Sequence, residues 1–225
     1  MKTSIFSICF LTLIVFSKET FASHVMGGEF KYECLDSINR IYKVNLLLYR
    51  DCSGITPGNA PWYVNFSNGC PRMTLNATFL GKKEITTLCG IKPSTTCTNP
   101  SSNIKGSEAW EYEWIGQFPS GCDIARITWD ECCRNFNNGP GSIGNFIDQI
   151  GPQGCHLETH INTALARGNN SPSFANPAIP FICLNTKFNY SAYCNEKDGD
   201  SLVYALIAPY GDATGGQLLY NTPYS

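Results

Sequence analysis

The stretch Glu29-Phe30-Lys31-Tyr32-Glu33-Cys34, followed after a polar turn by Tyr42-Lys43-Val44-Asn45-Leu46-Leu47-Leu48, decides the fold class. In the first run every second residue is apolar and the residues between are charged. Side chains alternate faces along a strand, so this pattern describes a strand with one buried and one wetted face. Tyr42, Val44, Leu46 and Leu48 repeat the same period, and Asp36 to Arg40 supply a short polar loop between the runs. Two alternating runs around such a loop predict an antiparallel β-hairpin.

Similar signals recur along the chain. Strands are expected at Trp62–Phe66, Met73–Phe79, Ala109–Ile115, Ile124–Trp129, His156–Ala164, Phe181–Tyr190 and Ser201–Ala208. Helical periodicity is scarce, with one or two turns expected in Ser142–Gln149. The loops Pro93–Gly106 and Asn135–Gly154 are rich in breakers, and cysteines lie in or beside them. A shift in composition at Ala166–Ser173 marks a boundary. The expected architecture is all-β: a disulfide-braced, β-sandwich-like domain over residues 23–166, then a partial Ig- or cadherin-like sandwich module over residues 167–225. Three or four strands fit in that second module, against about seven in a full sandwich. The chain therefore reads as a piece of something longer.

The first 22 residues read as a secretory signal peptide. Lys2 is a positive start, Ile5–Phe16 is apolar, and Thr20 and Ala22 are the small residues of a cleavage site. That apolar run is shorter than the roughly 20 residues that span a bilayer, and no later stretch is long enough, so no transmembrane segment is expected in the mature chain. Of the 12 cysteines, Cys9 leaves with the signal. Cys34, Cys52, Cys70, Cys89, Cys97, Cys122, Cys132, Cys133, Cys155, Cys183 and Cys194 remain, a density that reads as a disulfide framework in an oxidising compartment. Their number is odd, and their pairing cannot be read from spacing. The mature net charge is near −3 once Lys2, Lys18 and Glu19 are removed, and no basic run offers a nucleic-acid surface.

Several side-chain groups could carry chemistry. Glu196, Asp198 and Asp200, with Asn195, are candidate oxygen ligands for Ca²⁺, a hard cation that takes six to eight oxygens; the alternative is a polar Asp-Gly turn before a strand. His156, Glu158 and His160 share one strand face and form the ligand set of a non-haem iron site. Their spacing of about 6.5–7 Å per two residues is awkward for one ion, which favours a solvent-facing row with Leu157, Thr159 and Ile161 on the core face. Trp110, Tyr112 and Trp114 also share a face. Exposed, they would be a platform for glycans; buried, they are core, the reading favoured by Glu111 and Glu113 opposite. His24 would suit a copper enzyme only as the first residue, and the cleavage pattern places Ser23 there. No GxSxG, HExxH, P-loop or Rossmann pattern occurs. Arg50, Asp51, Asp130, Glu131 and Arg134 are expected to pair near the disulfides.

Three strings recur together in a known setting: Ser23-His24-Val25-Met26-Gly27-Gly28-Glu29, Leu48-Tyr49-Arg50-Asp51-Cys52-Ser53-Gly54 and Thr128-Trp129-Asp130-Glu131-Cys132-Cys133-Arg134-Asn135. They resemble the N-terminal region of large, gliding-motility-associated surface proteins of Bacteroidota, which carry PKD or cadherin-like repeats and a C-terminal signal for type IX secretion. The second half, with Asn169-Asn170-Ser171-Pro172-Ser173-Phe174, Phe188-Asn189-Tyr190 and Asp198-Gly199-Asp200-Ser201-Leu202-Val203-Tyr204, is similar to a cadherin- or Ig-like repeat. It departs from the usual Asp-Pro-Asp-Gly-Asp run by reading Glu196-Lys197-Asp198-Gly199-Asp200, which sets a positive charge beside any cation. The resemblance implies a secreted, cell-surface structural or adhesion module, not an enzyme, with surface glycans or proteins as partners. Two other functions stay open: a carbohydrate-binding module and a secreted metal-dependent enzyme.

Overall fold

The computed structural model describes residues 25–58, 61–86, 94–131, 154–177, 185, 187–212 and 214–218. Cys89, Cys132, Cys133, Cys183, the segment 142–149, most of 181–186 and the signal peptide lie outside them. Ten strands occur in chain order: β1 Val25–Asp36, β2 Ile41–Asp51, β3 Trp62–Phe66, β4 Met73–Leu75, β5 Thr78–Glu84, β6 Ser107–Gln117, β7 Ile124–Glu131, β8 Cys155–Asn162, β9 Ser173–Phe174 and β10 Cys194–Asn195. The fold is all-β, and no helix among the described residues is long and apolar enough to cross a membrane.

Two four-stranded antiparallel sheets, β1-β2-β6-β5 and β4-β3-β7-β8, form a sandwich. The predicted hairpin is its opening element: β1 and β2 pair with Phe30 opposite Leu46 and Tyr32 opposite Val44, and Arg40 takes the left-handed conformation in the turn. Strand β2 then pairs over its whole length with β6. The alternation seen in the sequence is the alternation of burial. Tyr42, Val44, Leu46 and Leu48 of β2 and Trp110 and Tyr112 of β6 face inward, against Trp62, Val64, Ile127, Trp129 and Ile161 of the opposite sheet. Phe30 reaches across to Trp62 edge-on, with ring centroids 5.3 Å apart. Phe118 fills one end of the core and touches Tyr42, Phe66 and Trp114.

The sheets come together where β1 meets β8. A Cβ at Gly28 would lie 2.5 Å from the Leu47 carbonyl and 2.7 Å from Leu157 Cδ1, so only glycine allows this approach. Two residues beyond Leu48, the partner of Gly28, Arg50 and Glu108 form a buried ion pair. Glu108 also accepts from Trp110 Nε1 at 2.8 Å and pairs with Lys82 at 3.0 Å. The Arg50 guanidinium donates to the carbonyls of Gly54 and Ile55, and the adjoining Asp51 side chain caps Ser53 N at 2.7 Å. Buried charges are tolerated when paired and bonded this fully. The role expected for Arg50 and Asp51 is thus structural.

Three strand expectations change. The span Met73–Phe79 divides at Asn76-Ala77 into β4 and β5, which belong to different sheets. Ser201–Ala208 is not a strand: it joins no ladder, and Val203 and Leu206 are almost wholly exposed. Alternation identifies the face a strand would bury but supplies no neighbour to pair with, and none of the described residues lies beside this segment as a ladder. Residues 187–190 likewise form no strand. Beyond residue 166 the described residues form the short ladder β9–β10 and an isolated bridge between Tyr210 and Gln217.

Cys52 is bonded to Cys97, and Cys70 to Cys122, closing loops with separations of 45 and 52 residues. Cys155 lies in the core, Cys194 is buried, and Cys34 is partly buried on β1. Loop-closure entropy puts each bridge at up to about 4 kcal/mol. Replacing Cys52 and Cys97 together by alanine is expected to lower the unfolding free energy by about 2–4 kcal/mol in denaturant titrations. An unchanged midpoint and slope would contradict this pairing.

Candidate functional site

The sequence-predicted acids converge where the C-terminal segment meets the outer edge of β1. That edge offers free backbone groups, and residues 170 and 171 occupy them. Ser171 N donates to the Tyr32 carbonyl at 3.0 Å, Tyr32 N donates to Ser171 Oγ at 2.8 Å, and Cys34 N donates to Asn170 Oδ1 at 2.9 Å. Asn170 is bonded on its other side as well: its backbone N and Nδ2 donate to the Asp198 carboxylate at 2.6 and 2.9 Å. One asparagine thus joins β1 to the acidic turn.

Within that turn Glu196, Asp198 and Asp200 each bring an oxygen within 4.8 Å of the others. Glu196 Oε2 accepts from the backbone N–H groups of Gly199 and Asp200, while Glu196 Oε1 is buried without a hydrogen-bond partner. The Asn169 amide lies against the same group, with one atom 2.9 Å from Asp200 Oδ2 and 3.1 Å from Asp198 Oδ2. Turned with its nitrogen toward them, it donates to both. The orphaned Glu196 oxygen and the neighbouring carboxylates are the hard oxygen donors that Ca²⁺ takes, with further oxygens needed from water. Glu196, Asp198 and Asp200 would hold the ion, which would neutralise three clustered carboxylates. Asn195 sits at the end of β10, directly before the turn.

Lys197 does not turn toward the acidic cluster as its position in the sequence suggests. Its ammonium turns away to Glu33 on β1, 2.8 Å distant, and Lys43 approaches the same carboxylate at 2.7 Å. Hydrogen bonds from Lys197 and then Lys43 hold the Glu33 carboxyl at about 2. Burial raises the Tyr32 hydroxyl above its ordinary value; a bond with Asn169 opposes this, and the charges of Asp198 and Asp200 add to it. Tyr32 of β1 therefore belongs to the junction. It, Asn169 and Asn170 were missed as site residues; the pair of asparagines ahead of Ser171-Pro172 was the available signal.

The other candidates resolve differently. Trp110 and Tyr112 are buried, and Trp114 packs against the core. They present no row of exposed rings, which corrects the glycan-platform assignment in favour of core. The His156–Glu158–His160 row shares a face but is only partly solvent-facing: His160 is exposed, while the His156 side chain is 1% exposed. His156 is held between Asp130 at 2.6 Å and Glu158 at 2.9 Å, beneath the ring of Tyr210. Glu158 also contacts Arg126 and, at 3.2 Å, His160. These donors are spent on one another, and the row does not meet as a three-ligand cluster.

Comparison with protein-family models, curated proteins and solved structures gives no match to this chain. The structure by itself defines the class: a disulfide-braced, all-β sandwich whose C-terminal segment is fastened along one sheet edge.

Burial alone would raise the Glu158 carboxyl, but bonds from His156, Arg126 and His160 outweigh it and hold the group at about 2. Glu33 is depressed to the same value. Carboxyls lowered in the folded state stabilise above their ordinary value near 4.5 and lose that contribution as pH falls toward 2. Unfolding free energy is expected to decline over that window, and the decline should be shallower in the Glu33→Gln/Glu158→Gln double variant. Parallel pH profiles for the two proteins would refute the assignment.

Proposed function

We propose that the chain is a non-enzymatic structural or adhesion module of a larger, exported cell-surface protein, related to the gliding-motility-associated proteins of Bacteroidota that its motifs resemble. The disulfides support an oxidising, extracellular location. The observation that carries the reading is the junction at Asn170, where one side chain bonds both β1 and the acidic turn. A surface protein built of β modules needs neighbours that keep their relative placement under load. Here the second segment extends the sheet edge rather than hanging from a free linker, and its acids are gathered at the point of attachment.

In this reading Ca²⁺ stiffens the junction. Without it three carboxylates repel one another beside Asn169 and Asn170; with it they become ligands, and the hydrogen bonds of Asn170 to Asp198 are held in place. Extracellular calcium sites commonly have dissociation constants of about 0.1–1 mM.

Millimolar Ca²⁺ is expected to raise the melting temperature by about 2–7 °C relative to chelator, through linkage worth about 1–2 kcal/mol. The shift should be absent in Asp198→Asn and Asp200→Asn, and Mg²⁺ at the same concentration should reproduce little of it. Identical melting in Ca²⁺ and chelator would reject the calcium site. Rapid cleavage by protease between residues 166 and 175 in saturating Ca²⁺ would reject a rigid junction.

A further inference from the structure

The outer face of the first sheet carries a feature that neither the motifs nor the acidic turn accounts for. Docking of residues 170–174 against β1 walls off two adjoining cavities, of about 280 and 200 Å³, over β1, β2 and β6. Both are lined by Lys31, Asn45, Glu111 and Ser173. Glu113 closes one, and Leu47 with Phe174 closes the other.

Their hydrogen-bonding capacity is underused. Asn45 is 5% exposed, yet its side chain makes a single long contact, Nδ2 to Glu113 Oε2 at 3.4 Å. Glu111 meets only Lys31, at 3.9 Å. Buried amides normally satisfy several of their four bonding positions. Lys43 and Lys197, by contrast, are both committed to Glu33. What faces the cavities with positions to spare is therefore the Asn45 amide, the Glu111 and Glu113 carboxylates, the second oxygen of Glu29 and the Lys31 ammonium, beside a half-exposed phenyl ring: Phe174 is 49% exposed.

We propose that this cleft binds a neutral saccharide, a ligand class that rests on the adhesion reading and specifies what the module adheres to. Sugar hydroxyls both donate and accept, which matches carboxylate, amide and ammonium groups set side by side. The apolar face of a pyranose ring packs on an aromatic ring such as Phe174. Charges of both signs alternate along the cleft, so it presents no single-sign field to draw a polyanion or a polycation. A peptide strand has no ladder to join, because the cleft lies on the face of the sheet and the backbone of β2 is paired on both sides.

The test uses the full mature chain and amide chemical shifts, titrated with maltohexaose, mannohexaose, galactotetraose and N-acetylglucosamine tetramer. At least one sugar is expected to move the resonances of Asn45, Glu111, Ser173 and Phe174 together. Phe174→Ala and Glu111→Gln, both at solvent-accessible positions, should each weaken that binding about tenfold without lowering the melting temperature appreciably. No sugar in the set moving those resonances would overturn the proposal, as would equal affinity in both variants. The two readings separate cleanly. A calcium-dependent melting shift without sugar binding removes the cleft and leaves the junction. Sugar binding at these residues without a calcium shift removes the calcium site and leaves the cleft.

Discussion

The register of β2 between β1 and β6 is the constraint on which the rest of the structure depends. Every residue of β2 has a partner in β6, and nearly every one has a partner in β1. The pleat sends Tyr42, Val44, Leu46 and Leu48 into the core and leaves Lys43 and Asn45 on the outer face. A slip of one residue would exchange these sets and bury a lysine beside Trp62. The same pleat fixes the outer cleft, because Asn45 faces it only while Leu46 faces Ile127. Core and cleft are two sides of one pairing.

The end of β2 shows how a polar motif can serve packing. Arg50, Asp51 and Cys52 continue the strand into a turn, where the guanidinium meets Glu108 and two turn carbonyls while Cys52 bridges to Cys97. Removing one partner of such a pair leaves the other charged and buried, a cost of about 3–5 kcal/mol. The string Leu48-Tyr49-Arg50-Asp51-Cys52-Ser53-Gly54 is thereby explained without a ligand. It ties the end of β2 to β6 and to the loop that carries Cys97.

Much of this was legible in the sequence, for unequal reasons. Alternation in β1, β2, β6 and β7 identified strands and their buried faces, because each has a neighbour on which the pattern acts. It failed at Ser201–Ala208, where the same alternation meets no partner edge. It also misjudged His156, placed on a solvent-facing row but covered by Tyr210, which lies 54 residues further along. The acids of the turn were readable from their spacing. Asn169 and Asn170 were not, since their role depends on the free edge of β1, more than 130 residues away. Lys197 was misread for the same reason: its sign is fixed by sequence, but its direction is fixed by Glu33.

The way residues 170 and 171 occupy the β1 edge has a consequence for assembly. An open edge strand is a template for another chain, and here it is covered by one backbone bond and two side-chain acceptors. The opposite edge, β5, protects itself with Lys82, Lys83 and the irregularity at Gly81. The β1 edge is irregular only at its ends, between Val25 and Gly27 and between Cys34 and Asp36, and its regular middle stretch is open until residues 169–174 arrive. The same short segment from a second copy would satisfy the same groups, so self-association by exchange of this segment competes with closure within one chain. Whatever tightens the junction therefore also decides how often the protein stays single.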